Sequence, residues 1–272
     1  MTISDDDLMG TFEQKKACVA GFNLMDDIFF SVVMRSNAAA EYLLTRLLGK
    51  PVKIIENKTQ YSIRNIEDHS VVMDALIEDD EHNIYDVEVQ IGDKDNHERR
   101  LRYYRTAIDW SYLEKGRDFS ELPEVYMIFI SDFDPFDMNK IHYEIVQYVE
   151  TTTRKYDNGV HIHYFNTRAD EETDLTELMR FFANSSAGSK SFGALSEQVN
   201  YHKIQNEGVD IMCDYVREYG DTRESKGRLE GRIEGKIKMI NSLLRDGIPL
   251  EKALKYADFD RETYEKYSAN KQ

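Results

Sequence analysis

Two short runs between Ser70 and Ile91 carry a carboxylate at Asp74, then a carboxylate and an amide at Glu88 and Gln90, on either side of the polar stretch Asp79 to Asn83. From residue 84 onward the types alternate. Tyr85, Val87, Val89 and Ile91 fall on one face and Asp86, Glu88 and Gln90 on the other, the period of a strand. Residues 71–77 are apolar apart from Asp74, and the stretch between the runs has turn composition, so an antiparallel hairpin is the economical arrangement. With Glu78 opposite Ile84, Asp74 falls opposite Glu88, and directly opposed residues share a face with Cβ atoms about 5 Å apart. Two carboxylates this close repel each other, and one pKa rises unless a cation is present. Magnesium suits so sparse a donor set, because one or two carboxylates hold it while water and phosphate oxygens complete its shell, and Mn2+ accepts the same ligands. A cation so held activates water and neutralises charge on a phosphoryl group. Gln90, on the same face, can hydrogen-bond that water or a phosphate oxygen but cannot act as a base. An acidic, solvated hairpin has the same spacing, and on pattern alone the two readings stand level.

The surrounding elements must position this hairpin. Met25 to Gly49 shows long helical periodicity, closed by Gly49 with Pro51 beyond. His97 to Lys115 reads as a helix ended by Gly116, with Leu101, Tyr104, Ile108 and Tyr112 towards the core and Arg99, Arg102 and Arg105 on another face. It follows Gln90 closely, so its arginines could hold a nucleic-acid backbone beside the site. Their other reading is a helix balancing the local surplus of Asp and Glu. Val125 to Ser131 has the continuous apolar character of a central strand, expected next to the acidic pair. Tyr143 to Tyr156 and Val160 to Phe165 flank Asn158-Gly159, a hairpin turn signal, and His161 and His163 read as surface histidines without a ligand set.

From Asp174 onward the pattern is helical. Gly227, Gly231 and Gly235 recur every four residues in a stretch, 223–238, with six basic and three acidic side chains. One helical face of glycines admits two readings, a close contact between two copies of the chain or a flexible connector, since each glycine costs about 1 kcal/mol of helix stability. Residues 250–267 suggest two short helices, with Asp260 as N-cap of the second.

The net charge of −16 argues against unspecific nucleic-acid binding, which needs clustered Lys and Arg, and leaves only locally basic elements for that task. A chain of 272 residues can bury one main core and carry an appendage. Cys18 and Cys213 have no ligand spacing and fit a reducing cytoplasm. No apolar stretch reaches membrane-spanning length, and the acidic N-terminus lacks the features of a signal peptide.

The pattern D-(x13)-E-V-Q at Asp74, Glu88 and Gln90 resembles the PD-(D/E)XK nuclease superfamily in its glutamine variant. More closely, NLMDDIFF (23–30), SVVMDALIEDDEHNIYDVEVQ (70–90), RRLRYYRTAID (99–109), the stretch 113–136 and the Gly-rich tail resemble the bacterial family of recombination-promoting nucleases and transposases. The resemblance implies an α/β, restriction-endonuclease-like core with a central mixed sheet flanked by helices over 1–205, and a helical C-terminal appendage over 206–272. It implies a Mg2+-dependent DNA endonuclease of recombination or mobile elements, with metal carboxylates at Asp74 and Glu88, a third site residue at Gln90, a supporting acid at Asp27, and substrate contacts from Arg100 and Tyr104. Two departures stand out: Met73 replaces the proline, and Gln90 replaces the lysine that would polarise the nucleophile. The missing lysine and the acidic composition keep a second reading open, a nuclease-fold scaffold, weakly active or inactive, that binds DNA or a protein. RNA as substrate is a third.

Overall fold

The computed structural model describes residues 10–64, 70–92 and 94–269. The chain divides into two compact units, residues 1–215 and 216–272. In the first, helices α1 (Phe12–Ala20), α2 (Asp27–Met34) and α3 (Asn37–Leu48) precede strands β1 (Ile54–Arg64), β2 (Ser70–Asp79) and β3 (Ile84–Gln90). Helix α4 (His97–Tyr112) then leads to β4 (Val125–Ser131), β5 (His142–Ile145), the short strands β6 (Tyr148–Val149) and β7 (Arg154–Lys155), and β8 (Val160–Asn166). Helices α5 (Asp174–Asn184) and α6 (Gly193–Ile204) follow, and α7 (Asn206–Arg245) runs on into the second unit. Six strands form one mixed sheet in the order β1-β2-β3-β4-β8-β5. The pairs β1/β2, β2/β3 and β5/β8 are antiparallel, whereas β3/β4 and β4/β8 are parallel.

Parallel β3 and β4 need a crossover, and α4 supplies it. Its apolar stripe, Leu101 and Ile108, packs on Ile84, Val125, Met127 and Phe129, with Tyr104 and Tyr112 at the margin. The spacing of that stripe is what the sequence shows. Helices α2 and α3 bury Phe29, Phe30, Val33, Leu43 and Leu44. The expected single periodicity from Met25 to Gly49 is two helices. Ser36 takes an extended conformation and accepts the Ala39 N–H as an N-cap, which restarts the helix, and Gly49 closes it with φ +66°.

The expected Asn158-Gly159 hairpin is also corrected. Gly159 does turn with φ +71°, but it delivers the chain into β8, which lies parallel to β4, and its carbonyl accepts the Val125 N–H at 2.8 Å. The tight ribbon is β6/β7, and β8 finds its antiparallel partner in β5. His163, read as a surface residue, is buried; its Nδ1 lies 3.0 Å from His142 Nε2, and burial and the neighbouring His142 push it down to about 4. β8 is an inner strand between β4 and β5, and how far each of its side chains is covered is a tertiary matter that alternation does not reveal.

The second unit has its own core. Ile237 and Ile240 of α7 pack with Ala253, Leu254 and Ala257 of α8 (Leu250–Ala257) and Tyr264 of α9 (Arg261–Ala269). Asp260 accepts the Thr263 N–H at 2.7 Å, the expected cap. The glycines at 227, 231 and 235 all lie within α7. No helix among the described residues is long and apolar enough to cross a membrane.

Candidate active site

The acidic pair is set by the turn that joins β2 to β3. Asp79 accepts the backbone N–H groups of Glu81 (3.0 Å) and Asn83 (2.8 Å), the Asn83 amide (2.9 Å) and the Tyr85 hydroxyl (2.7 Å). Burial opposes ionisation of Asp79, but these donors outweigh it and hold the carboxyl below its ordinary range. Pinned in this way, the strands take the expected register: Glu78 pairs with Ile84 and Ala75 with Val87.

Beyond Ala75/Val87 the strands part, and side chains take over the ladder. The Asp74 N–H donates to Glu88 Oε1 and the Val89 N–H donates to Asp74 Oδ2, each at 3.0 Å. The two carboxylates therefore sit in the fork, each anchored to the opposite strand. On the β1 side Gln60, with φ +49°, lies between the Thr59/Ala75 and Tyr61/Met73 pairs and donates to Asp74 Oδ1 at 3.3 Å.

A third carboxylate joins them. Asp86 is fully buried, and neither of its oxygens has a hydrogen-bond partner. Burial, with the nearby Asp74 charge, pushes it up to about 8; a shared proton with Glu88 is its nearest relief. Glu88 is raised well above the usual range by burial and by the charges of Asp86 and Asp74. Asp74 is raised to about 7, chiefly by burial and further by Asp27, against the Val89 N–H, Gln60 and Arg100. The sequence placed Asp86 on the polar face but gave no reason to assign it to the site. The signal was its i, i+2 relation to Glu88, and the deciding fact is that this face lies beneath α4.

The other expected residues separate into two groups. Arg100 and Tyr104 face the carboxylates. Arg100 Nη1 donates to Gln90 Oε1, and its charge favours ionised Asp74. Tyr104 is held above its usual pKa by burial and by Glu88. Gln90 Nε2 donates to the Ile91 carbonyl at 3.2 Å, so the Gln90 amide is oriented from both ends. Asp27, the first residue of α2, accepts the Ile28 N–H at 2.9 Å and lies within electrostatic reach of Asp74. Arg99 and Arg102 point to solvent on α4. Arg105, expected with them, is half-buried and pairs with Asp109 at 3.6 Å, one turn on.

These groups fit a hard divalent cation. Three buried carboxyls with raised pKa values and two unpartnered oxygens make a site short of positive charge. Among the described residues no group of three or more His, Cys, Asp or Glu side chains is arranged to hold a metal ion, so a cation at the fork would draw on Asp74 and Glu88 with water and phosphate for the rest.

A six-stranded mixed sheet flanked by helices, with carboxylates where two antiparallel strands fork, defines a restriction-endonuclease-like fold. Residues 36–207 match the PD-(D/E)XK nuclease family transposase, and the chain belongs to that family. Its members use nuclease chemistry on DNA, generally with divalent metal ions. The match contains Asp74, Asp86, Glu88, Gln90 and all of α4, and Asp27 lies before it. Neither a curated protein nor a solved structure gives a significant match.

Proposed function

We propose that the protein is a metal-dependent DNA endonuclease of mobile elements or recombination, hydrolysing phosphodiester bonds at the β2/β3 fork. The observation that carries this reading is the carboxylate pair anchored crosswise between parting strands, with a third buried carboxyl, Asp86, set against Glu88. Asp74 and Glu88 hold Mg2+, or Mn2+ in its place, and Asp86 adds negative charge beneath them. The cation supplies activation of the attacking water and neutralisation of charge on the phosphoryl group. Arg100 brings the positive charge that Gln90 lacks, and Gln90, oriented by Arg100 and the Ile91 carbonyl, sets the direction of that guanidinium. Tyr104 closes the site towards the core and excludes water from one side. Asp27 supports Asp74 through its field, favouring the protonated or cation-bound form.

The test is cleavage of supercoiled plasmid with Mg2+ or Mn2+ by the wild type and by Asp74→Ala and Glu88→Ala proteins whose circular dichroism shows them folded. Nicking or linearisation lost in both variants supports the assignment. Cleavage that survives both, or none by the wild type, overturns it and leaves the scaffold reading, which the glutamine in place of lysine favours.

A further inference from the structure

The face of α4 turned away from the sheet carries an unusual set of residues. Tyr103 is 44 % exposed and Trp110, the one tryptophan of the chain, is 56 % exposed. Arg99, Tyr103, Thr106 and Trp110 follow one another at helical spacing, opposite the buried Leu101 and Ile108, and Arg102 is exposed beside them. Arg100, which reaches Gln90, lies on the flank between this stripe and the carboxylates. In a chain of net charge −16, α4 carries four arginines against Glu98 and Asp109.

We infer that this stripe binds single-stranded DNA, stacking unpaired bases on Tyr103 and Trp110 while Arg99 and Arg102 contact the phosphates. The inference rests on the nuclease reading for its place beside the site, and it specifies the substrate as DNA with an unpaired segment. Stacking covers the faces of bases inside a duplex, so only the arginines of the stripe can engage a duplex. An unpaired strand offers π-faces to both rings, without requiring a particular sequence. Along the helix Tyr103 and Trp110 are about 10 Å apart, at about 1.5 Å per residue, a span of three stacking steps of about 3.4 Å. The arginines supply the charge that a strongly acidic protein otherwise withholds from phosphate.

Trp110 is its own reporter. The full-length protein is titrated in EDTA with an oligothymidylate of about 15 nucleotides, with a duplex of equal length and with oligouridylate, following tryptophan emission. Saturable quenching by the single-stranded DNA, much weaker with the duplex, is expected. Labelled-oligonucleotide anisotropy then shows roughly tenfold weaker binding for Tyr103→Ala and Trp110→Ala, with recovery in Trp110→Phe. Arg99→Ala lowers the slope of log K against log salt by about one. Quenching by duplex equal to that by single strand, tighter binding of oligouridylate, or wild-type affinity in both aromatic variants overturns the inference. Because EDTA removes cleavage from the measurement, the two readings fail separately. Plasmid cleavage without quenching leaves the nuclease and removes the stripe, and quenching that persists in Asp74→Ala without cleavage by the wild type does the reverse.

Discussion

Replacing Asp86 by asparagine should change how stability depends on pH, in a direction the burial of Asp86 dictates. A carboxyl whose folded pKa is raised to about 8 from 3.8 holds its proton in the folded state over a range in which the unfolded chain has released it. Its contribution is therefore fully present below the unfolded value, falls as pH rises, and is lost once pH passes the folded value. Each pH unit in that range is worth about 1.4 kcal/mol, so between pH 6 and 9 the wild type loses about 3 kcal/mol through this one group. Asp86→Asn keeps the shape and removes this titration, and because the Asp86 charge also raises Glu88, the loss acts on the slope in the same direction through that group. Histidines held below their ordinary range, His163 foremost, add stability as pH rises towards neutrality, but they do so equally in both proteins and cancel in the difference. The assay is urea unfolding followed by Trp110, which reports the unit that contains the site. At pH 6 the two midpoints are set by the local fit of the amide; by pH 9 the variant should have gained about 1 to 2 M in midpoint relative to wild type. Parallel midpoint profiles over that range would refute the reasoning, because a solvated or donor-satisfied Asp86 titrates near 4 and contributes no slope there.

Mg2+ should flatten the wild-type profile, and its binding at pH 7 should release at least one proton, read by calorimetry in buffers of different ionisation enthalpy, because Asp74, raised to about 7, and Glu88, raised well above its usual range, must ionise to hold it. Binding without proton release would place the cation elsewhere. Asp79→Ala removes the acceptor of four hydrogen bonds in the β2/β3 turn and should cost about 2 to 4 kcal/mol by urea unfolding, together with weaker cation binding because the register is freed. Wild-type stability would show that strand pairing alone fixes the fork. Lys203 is buried and donates to the carbonyls of Ala20 (3.2 Å), Phe22 and Ser185 (2.8 Å); Lys203→Met should lower stability by about 3 kcal/mol and leave cation affinity unchanged, measured by unfolding and calorimetry. A loss of cation binding in that variant would link this helical cluster to the site.

What the sequence determined was local and periodic. Alternation over residues 84–91 and the turn chemistry from Asp79 to Asn83 were enough for the register that opposes Asp74 and Glu88, because a slip of one residue would exchange the apolar and acidic faces of β3 and break the turn that Asp79 pins. The apolar stripe of α4 and the continuous run of β4 were legible for the same reason, and with them the mixed α/β core. The tertiary structure decided whatever depends on which elements cover one another. Asp86 became an unpartnered buried carboxyl only because α4 lies over its face. Arg100 meets Gln90 and faces the carboxylates while Arg99 and Arg102 face solvent, a sorting of adjacent arginines by helix phase against a sheet the sequence could not place. Asp27, far away along the chain, came within the field of Asp74, and Cys18, far from Cys213 in the sequence, came close enough to help raise that thiol. Asn158-Gly159 carried a true turn signal but not the identity of the strand that follows, because β8 finds its partners through long-range pairing with β4 and β5. Periodicity reports which side of an element is buried; the pKa values, the buried histidine and the partners of each charge depend on what does the burying.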